Sequence, residues 1–76
     1  MTKRGSNRRL LAAIGDGTRA ARIASGMTQE VLAYRAGIHP TYLSGIERGV
    51  KNPSVGVLGA IAAALAIPVS TLFKEQ

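Results

Sequence analysis

The chain has no cysteine and no tryptophan, one histidine, and four acidic residues against ten lysines and arginines in 76 residues. Without cysteine there is neither a disulfide framework nor a thiolate zinc site, and His39 alone supplies too few ligands for any other metal. The four acids, Asp16, Glu30, Glu47 and Glu75, are scattered and leave no nucleophile with a partner base. The chain therefore reads as a non-enzyme with no cofactor and no evident small-molecule ligand. Gly15-Asp16-Gly17 has the look of a phosphate loop, but no strand precedes it and no Gly-Lys-Ser/Thr follows. Period-2 alternation is also missing, which excludes a half-buried strand and points to an all-α chain.

No basic-then-apolar leader is visible, since the first apolar run after Met1 is only residues 10–14, and a cytoplasmic location is the default expectation. Residues 52–73 contain no charge, a length that could span a bilayer. That stretch is rich in Ala, Gly and Ser, is broken by Pro53 and Pro68, and holds few large aliphatic side chains. Burial on two sides, against its own domain and a second subunit, is the better reading, and no membrane partner is expected.

What the chain does have is positive charge, +6 net. Lys3, Arg4, Arg8, Arg9, Arg19, Arg22, Arg35, Arg48 and Lys51 all lie in the first two-thirds. Such a balance favours a polyanionic partner, because each neutralised phosphate releases counterions. A solvated surface kept soluble by its charge accounts for composition alone equally well.

The length allows one small domain, near the lower end of what folds without staples. Residues 1–7 read as a flexible basic arm and residues 8–76 as the domain. A first helix is expected over about 8–24, with Asn7 as cap, Gly26 beyond its end, and a core face of Leu10, Ile14, Thr18 and Ala21. Gly15 and Gly17 each cost about 1 kcal/mol relative to alanine inside a helix, and Asp16 offers a cap for a shorter one. Ser54 caps a fourth helix to about residue 66, with a stripe of Leu58, Ile61, Ala62 and Leu65. After Pro68 a short fifth helix is expected over 69–74.

Between these lies the stretch that organises the chain, residues 28–49, TQEVLAYRAGIHPTYLSGIERG. Thr28 suits an N-cap, Leu32, Ala33 and Ala36 make an apolar face, and Gly37 ends it. His39 sits in the turn as an imperfect cap. Pro40 stands where a helical residue needs no N–H, and Leu43 with Ile46 repeats the apolar face over residues 40–48. This is a helix-turn-helix pattern.

These residues also resemble the Cro/XRE-type helix-turn-helix regulators, which include phage repressors and restriction-modification controller proteins. The likeness rests on Thr28-Gln29-Glu30, Leu32-Ala33, Ala36-Gly37-Ile38, Tyr42-Leu43-Ser44, Ile46-Glu47-Arg48-Gly49 and Asn52-Pro53-Ser54. It extends outward to Arg22 and Gly26, and to Leu58, Ile61-Ala62, Leu65 and Leu72-Phe73, covering roughly residues 10–73. It implies a five-helix, lambda-repressor-like domain acting as a transcriptional regulator of double-stranded DNA, with the second helix of the pair in the major groove. Leu32-Ala33-Tyr34-Arg35 and residues 41–48 make the controller subtype plausible beside phage, antitoxin and metabolic regulators.

Opposite Leu43 and Ile46 the second helix carries Pro40, Thr41, Ser44 and Gly45, with Tyr42 at the edge. By resemblance Pro40, Thr41 and Gly45 fall where relatives place base-reading side chains; proline cannot donate there and glycine has no side chain. Pro40, Thr41, Tyr42 and Gly45 are the expected base contacts, Thr41 and Tyr42 by hydrogen bonds and Gly45 by close approach of an open position to the groove, though Tyr42 can equally be a surface tyrosine packed on a neighbouring helix. Gln29 matches the family position that holds a phosphate, with Thr28, Ser44, Arg48 and Lys51 as further phosphate candidates. Lys51 also fits a solvated loop charge. The resemblance further pairs Arg22 with Glu47, tying the first helix to the third; a pair of independent surface charges is the alternative. Thr18 departs from the aliphatic residue usual in the family.

Val57, Ile67, Val69, Leu72 and Phe73 exceed what one small domain can hide, and are expected at a homodimer interface. The expected function is a regulator binding a palindromic operator. A protein-interaction module that keeps the fold without specific DNA binding is the alternative, allowed by Pro40 and Gly45. A membrane-active basic peptide is the third class.

Overall fold

The computed structural model describes residues 3–73, with side chains from Asn7 onward. Four α-helices, α1 (Lys3–Ala24), α2 (Gln29–Ala36), α3 (Pro40–Glu47) and α4 (Val55–Leu65), are followed by one 3₁₀ turn, Val69–Leu72. No strand occurs among the described residues. The chain is all-α, with five helical segments of which the last is not an α-helix. Pro68 fixes the entry to that segment, Thr71 N–H donates to Pro68 O at 3.0 Å, and Phe73 N–H to Ser70 O at 3.2 Å. The expected end at Lys74 lies outside the described residues.

Local chemistry sets the boundaries of the middle helices. Thr28 Oγ1 accepts from Val31 N–H, and Ser54 Oγ from Val57 N–H, each at 3.1 Å, so both hydroxyls cap as the sequence suggests. Gly37 takes a left-handed φ of 73°, which lets Ile38 N–H reach back to Ala33 O at 3.0 Å and close α2. Ala66 performs the same turn after α4 at φ 56°, where an L side chain is strained. Pro68 follows two residues later and forbids continuation.

The core is Ile14, Leu32, Ala33, Leu43, Ile46, Leu58, Ile61, Ala62, Leu65 and Leu72. In it α1 packs on α3 and on the 3₁₀ turn, while α2 packs on α4 and α3. The buried stripes expected for α2, α3 and α4 are the observed ones.

The first helix differs from expectation in three ways. It begins at Lys3, not near Arg8, so residues 3–7 continue the helix, where a free arm was expected, and Asn7 lies inside it. It runs unbroken through Gly15-Asp16-Gly17, so Asp16 lies inside the helix and does not begin it. Its core face starts at Ile14; Leu10 is 46% exposed. The α3–α4 loop meets α1 with Gly49 facing Leu11 and Ala12. Residues 7–10, before that point, are exposed.

The glycines that weaken α1 as an isolated helix serve its packing. A Cβ on Gly15 would stand 2.6 Å from Ile46 O and 2.7 Å from Glu47 O, and one on Gly17 would run into Leu72 O. Two backbones meet there with no side chain between them. One turn from Gly15, Thr18 is fully buried, and its Oγ1 has no hydrogen-bond partner.

Two substitutions in α1 follow with opposite signs. Thr18→Val keeps the volume and removes a stranded hydroxyl, so stability should rise by about 1 kcal/mol. Gly17→Ala gains helix propensity but overpacks against Leu72, for a net loss of about 1–3 kcal/mol. Urea titration reads both as shifts of the midpoint at constant slope.

Candidate nucleic-acid interface

Residues 37–39 turn the chain between α2 and α3. His39 stands before α3, and its Nδ1 accepts from Thr41 N–H at 3.0 Å, a capping role that requires that nitrogen to be unprotonated. Pro40, at the first helical position, needs no such bond.

With Leu43, Ile46 and Glu47 buried, α3 turns Thr41 and Arg48 to solvent, with Pro40, Tyr42 and Ser44 half-buried. Arg48, which follows the helix as its cap residue, lies over it: its Nε donates to Ser44 Oγ at 3.4 Å. Tyr42 packs against the core cluster with part of its surface free.

Gly45 departs from the expected open position. It is buried, and what covers it is Lys51. A Cβ on Gly45 would lie 2.5 Å from Lys51 Cγ and 3.5 Å from both Cβ and Cδ. Gly45 O also accepts from Val50 N–H at 2.9 Å and Lys51 N–H at 3.3 Å, which folds the loop back along α3. No groove atom could approach the Gly45 α-carbon without displacing that lysine. A glycine on the outer side of a helix with a lysine six residues on is a pattern visible in the sequence.

A network of charge joins the other end of α3 to α1 and α2. Arg22 Nε donates to Glu47 Oε2 at 2.7 Å and Nη2 to Oε1 at 3.1 Å, a two-pronged pairing. Nη1 donates to Met27 O at 2.9 Å, and Gln29 Nε2 to Glu47 Oε1 at 3.0 Å. The Glu47 side chain is 3% exposed and that of Arg22 13%. Its hydrogen bonds to Glu47 hold the Arg22 guanidinium above its ordinary pKa; burial opposes, and the charges of Glu47 and Glu30 add to the rise. A raised cation stabilises the fold at every pH below its ordinary value and loses that contribution only as pH climbs past the raised one, so Arg22 stays charged throughout the working range. The involvement of Gln29 and of the Met27 carbonyl was not foreseen; both need the α1–α2 turn to be folded before they can be seen.

Of the expected phosphate-binding residues, Thr28, Gln29, Ser44, Arg48 and Lys51 occupy the start of α2, α3 and the loop after α3. Of these, Gln29 is the one held by Glu47. Among the expected interface residues, Leu72 is fully buried in the domain's own core and is withdrawn from that role. Val57 and Ile67 are half-buried against the core, whereas Val69 and Phe73 are 40% and 36% exposed. Val55, 85% exposed at the start of α4 and outside its buried stripe, adds apolar surface. No cluster of three or more His, Cys, Asp or Glu able to hold a metal occurs among the described residues. No described helix is long and apolar enough to cross a membrane.

The helix-turn-helix model matches residues 19–72, and the chain belongs to that family, in its XRE-type branch. It is 42% identical over 62 residues to the transcriptional regulator ClgR of Mycobacterium tuberculosis, covering 82% of this chain and 55% of that protein. Similarity to the immunity repressor of Bacillus phage phi105 is 40% over 63 residues, covering 83% and 44%. The chain thus spans about half the length of these curated relatives. Among solved structures, the restriction-modification controller protein C.AhdI of Aeromonas hydrophila superposes with a TM-score of 0.80 at 38% identity, covering 83% of this chain and 96% of that one. The clp gene regulator ClgR of Corynebacterium glutamicum does so with 0.79 at 35%, covering 83% and 82%. The relatives are regulators and repressors, and the family is a regulatory one.

Removing Arg22 strands a buried carboxylate. Arg22→Ala should cost about 3–5 kcal/mol, while replacing both partners by apolar residues should cost less. A double-mutant cycle measured by chemical denaturation checks this, and additive losses would show that the two do not interact.

Proposed function

We propose that the chain is a DNA-binding transcriptional regulator that acts as a homodimer on a palindromic operator, with α3 in the major groove. The observation that carries this reading is the anchoring of α3: Glu47 ties it to Arg22 and Gln29 while Pro40, Thr41, Ser44 and Arg48 remain toward solvent. A helix fixed on its inner side and free on its outer one is what insertion into a groove requires.

In this reading the start of α2 meets the sugar-phosphate backbone. The first N–H groups of a helix have no intrahelical partner and favour an anion. Gln29 is held against Glu47 by one amide N–H, and its second N–H is available for phosphate. Thr28, Ser44 and Arg48 serve the same backbone. Base contacts come from Thr41 and the free edge of Tyr42, with Pro40 in van der Waals contact only, since it has no N–H to give.

Dimerisation uses Val69 and Phe73 with the exposed parts of Val57 and Ile67. Phe73 is the anchor, because aromatic side chains dominate interface energies. A two-fold contact there presents both α3 helices to one side of a duplex, with half-sites centred about 10–10.5 base pairs apart or a multiple of it. The rival reading, a protein-interaction module on the same fold, gains from Pro40 and Gly45, neither of which offers a side-chain donor.

Titration of genomic DNA fragments across salt concentrations separates the two readings. With about six to ten phosphates contacted by a dimer, affinity should fall by about 10³–10⁵ between about 50 and 200 mM salt. Gln29→Ala should weaken binding to all sequences alike, and Thr41→Ala should flatten base preference. A salt-independent affinity, or no binding to any fragment, would favour the interaction module. Sedimentation over a concentration series checks the dimer: Phe73→Ala should shift wild-type dimers toward monomers. A wild type that stays monomeric yet binds a half-site as tightly as a palindrome would rule the dimer out.

A further inference from the structure

We infer that Lys51 is a base-reading residue, and that Gly45 is the saddle that aims it. This rests on the DNA-binding reading above and assigns to Lys51 a specificity role in place of a phosphate contact. The stem of Lys51 crosses the outer side of α3 at Gly45, with Cβ, Cγ and Cδ all within 3.5 Å of where a side chain at 45 would begin. The residue as a whole is exposed to solvent although its stem lies on the helix, which leaves the outer part of the side chain to reach beyond α3.

Three observations make this more than one position of a mobile lysine. The backbone holds the root of the side chain, because Lys51 N–H and Val50 N–H both donate to Gly45 O. Gly45 is buried by this arrangement, in an eight-residue helix where alanine would favour the helix more. Its φ is not left-handed, so the backbone does not demand glycine there; only the crossing stem does. The side chain missing from α3 is thus replaced by one from the loop, at a point one turn after Thr41.

A lysine delivered to the floor of the major groove donates to paired acceptors on a base edge, and guanine O6 and N7 are the pair that suits it. Guanine is therefore the base expected opposite Lys51 in each half-site. A lysine serving phosphates alone would need no fixed stem and no glycine beneath it.

The test is selection from a random-sequence duplex library with wild type, Lys51→Met and Gly45→Ala, followed by affinity measurement on the selected duplex and on unselected DNA. Lys51→Met keeps the aliphatic stem and removes the ammonium; Gly45→Ala keeps the ammonium and pushes the stem aside. Thermal melting by circular dichroism should show both variants folded. Wild type should enrich guanine at one position per half-site. Both variants should lose that preference, with about 5- to 150-fold weaker binding to the selected duplex, and each should weaken binding to unselected DNA by much less. Lys51→Arg should retain the guanine. Equal weakening on selected and unselected DNA by Lys51→Met would make Lys51 a phosphate contact and overturn the assignment. Retention of the guanine by Gly45→Ala would overturn the saddle. A wild type that binds no duplex fails the DNA-binding reading itself, an outcome distinct from binding without guanine preference.

Discussion

A carboxylate buried at the end of a short helix has to be met by donors, and Glu47 meets three, two from Arg22 and one from Gln29. Apolar packing alone holds helices together without fixing how far one slides along another. Hydrogen bonds to an ion do fix it, because misplacing any donor leaves charge unsatisfied in a poorly solvated place. Arg22 comes from α1, Gln29 from the first residue of α2, and Glu47 from the last of α3, so one ion sets the mutual position of three helices. A third guanidinium N–H, on Met27 O, extends this hold to the turn between α1 and α2.

The outer side of α3 follows a different logic. Its helix offers hydroxyls but no cation to a groove: a proline, a threonine, a serine and a glycine, with Tyr42 at the edge. Basic groups instead arrive from beyond its end, Arg48 folding over Ser44 and Lys51 over Gly45. Small residues on the helix and long cations after it are two halves of one arrangement, in which the loop dresses a helix that is bare.

Much of this was legible in the sequence because caps, periodicity and spacing act locally. Thr28, Gly37, Pro40 and Ser54 mark helix ends by their own backbone chemistry, and the stripes of α2 to α4 repeat at helical intervals. The partnership of Arg22 and Glu47 could be expected only from the family likeness, since nothing in their separation along the chain brings them together. What was not legible depended on which surfaces meet. Leu10 fits the α1 stripe yet has no neighbour to cover it, while Leu72 looked surplus and is in the core. Gly15 and Gly17 read as flaws in α1 until the backbone carbonyls facing them were known. Gly45 read as an open position for the same reason, because a local pattern does not say that a side chain from the next loop lies on it.

The glycine contacts of α1 have a mechanical consequence. Where side chains interdigitate, a helix can rock by rotamer adjustment, but where backbone rests on backbone there is no soft layer to yield. Gly15 against the Ile46 and Glu47 carbonyls, and Gly17 against that of Leu72, make α1 a stiff keel for the molecule. Compliance is then left to the outer side chains, so any adjustment to an irregular surface would be made by the fingers and not by the hand.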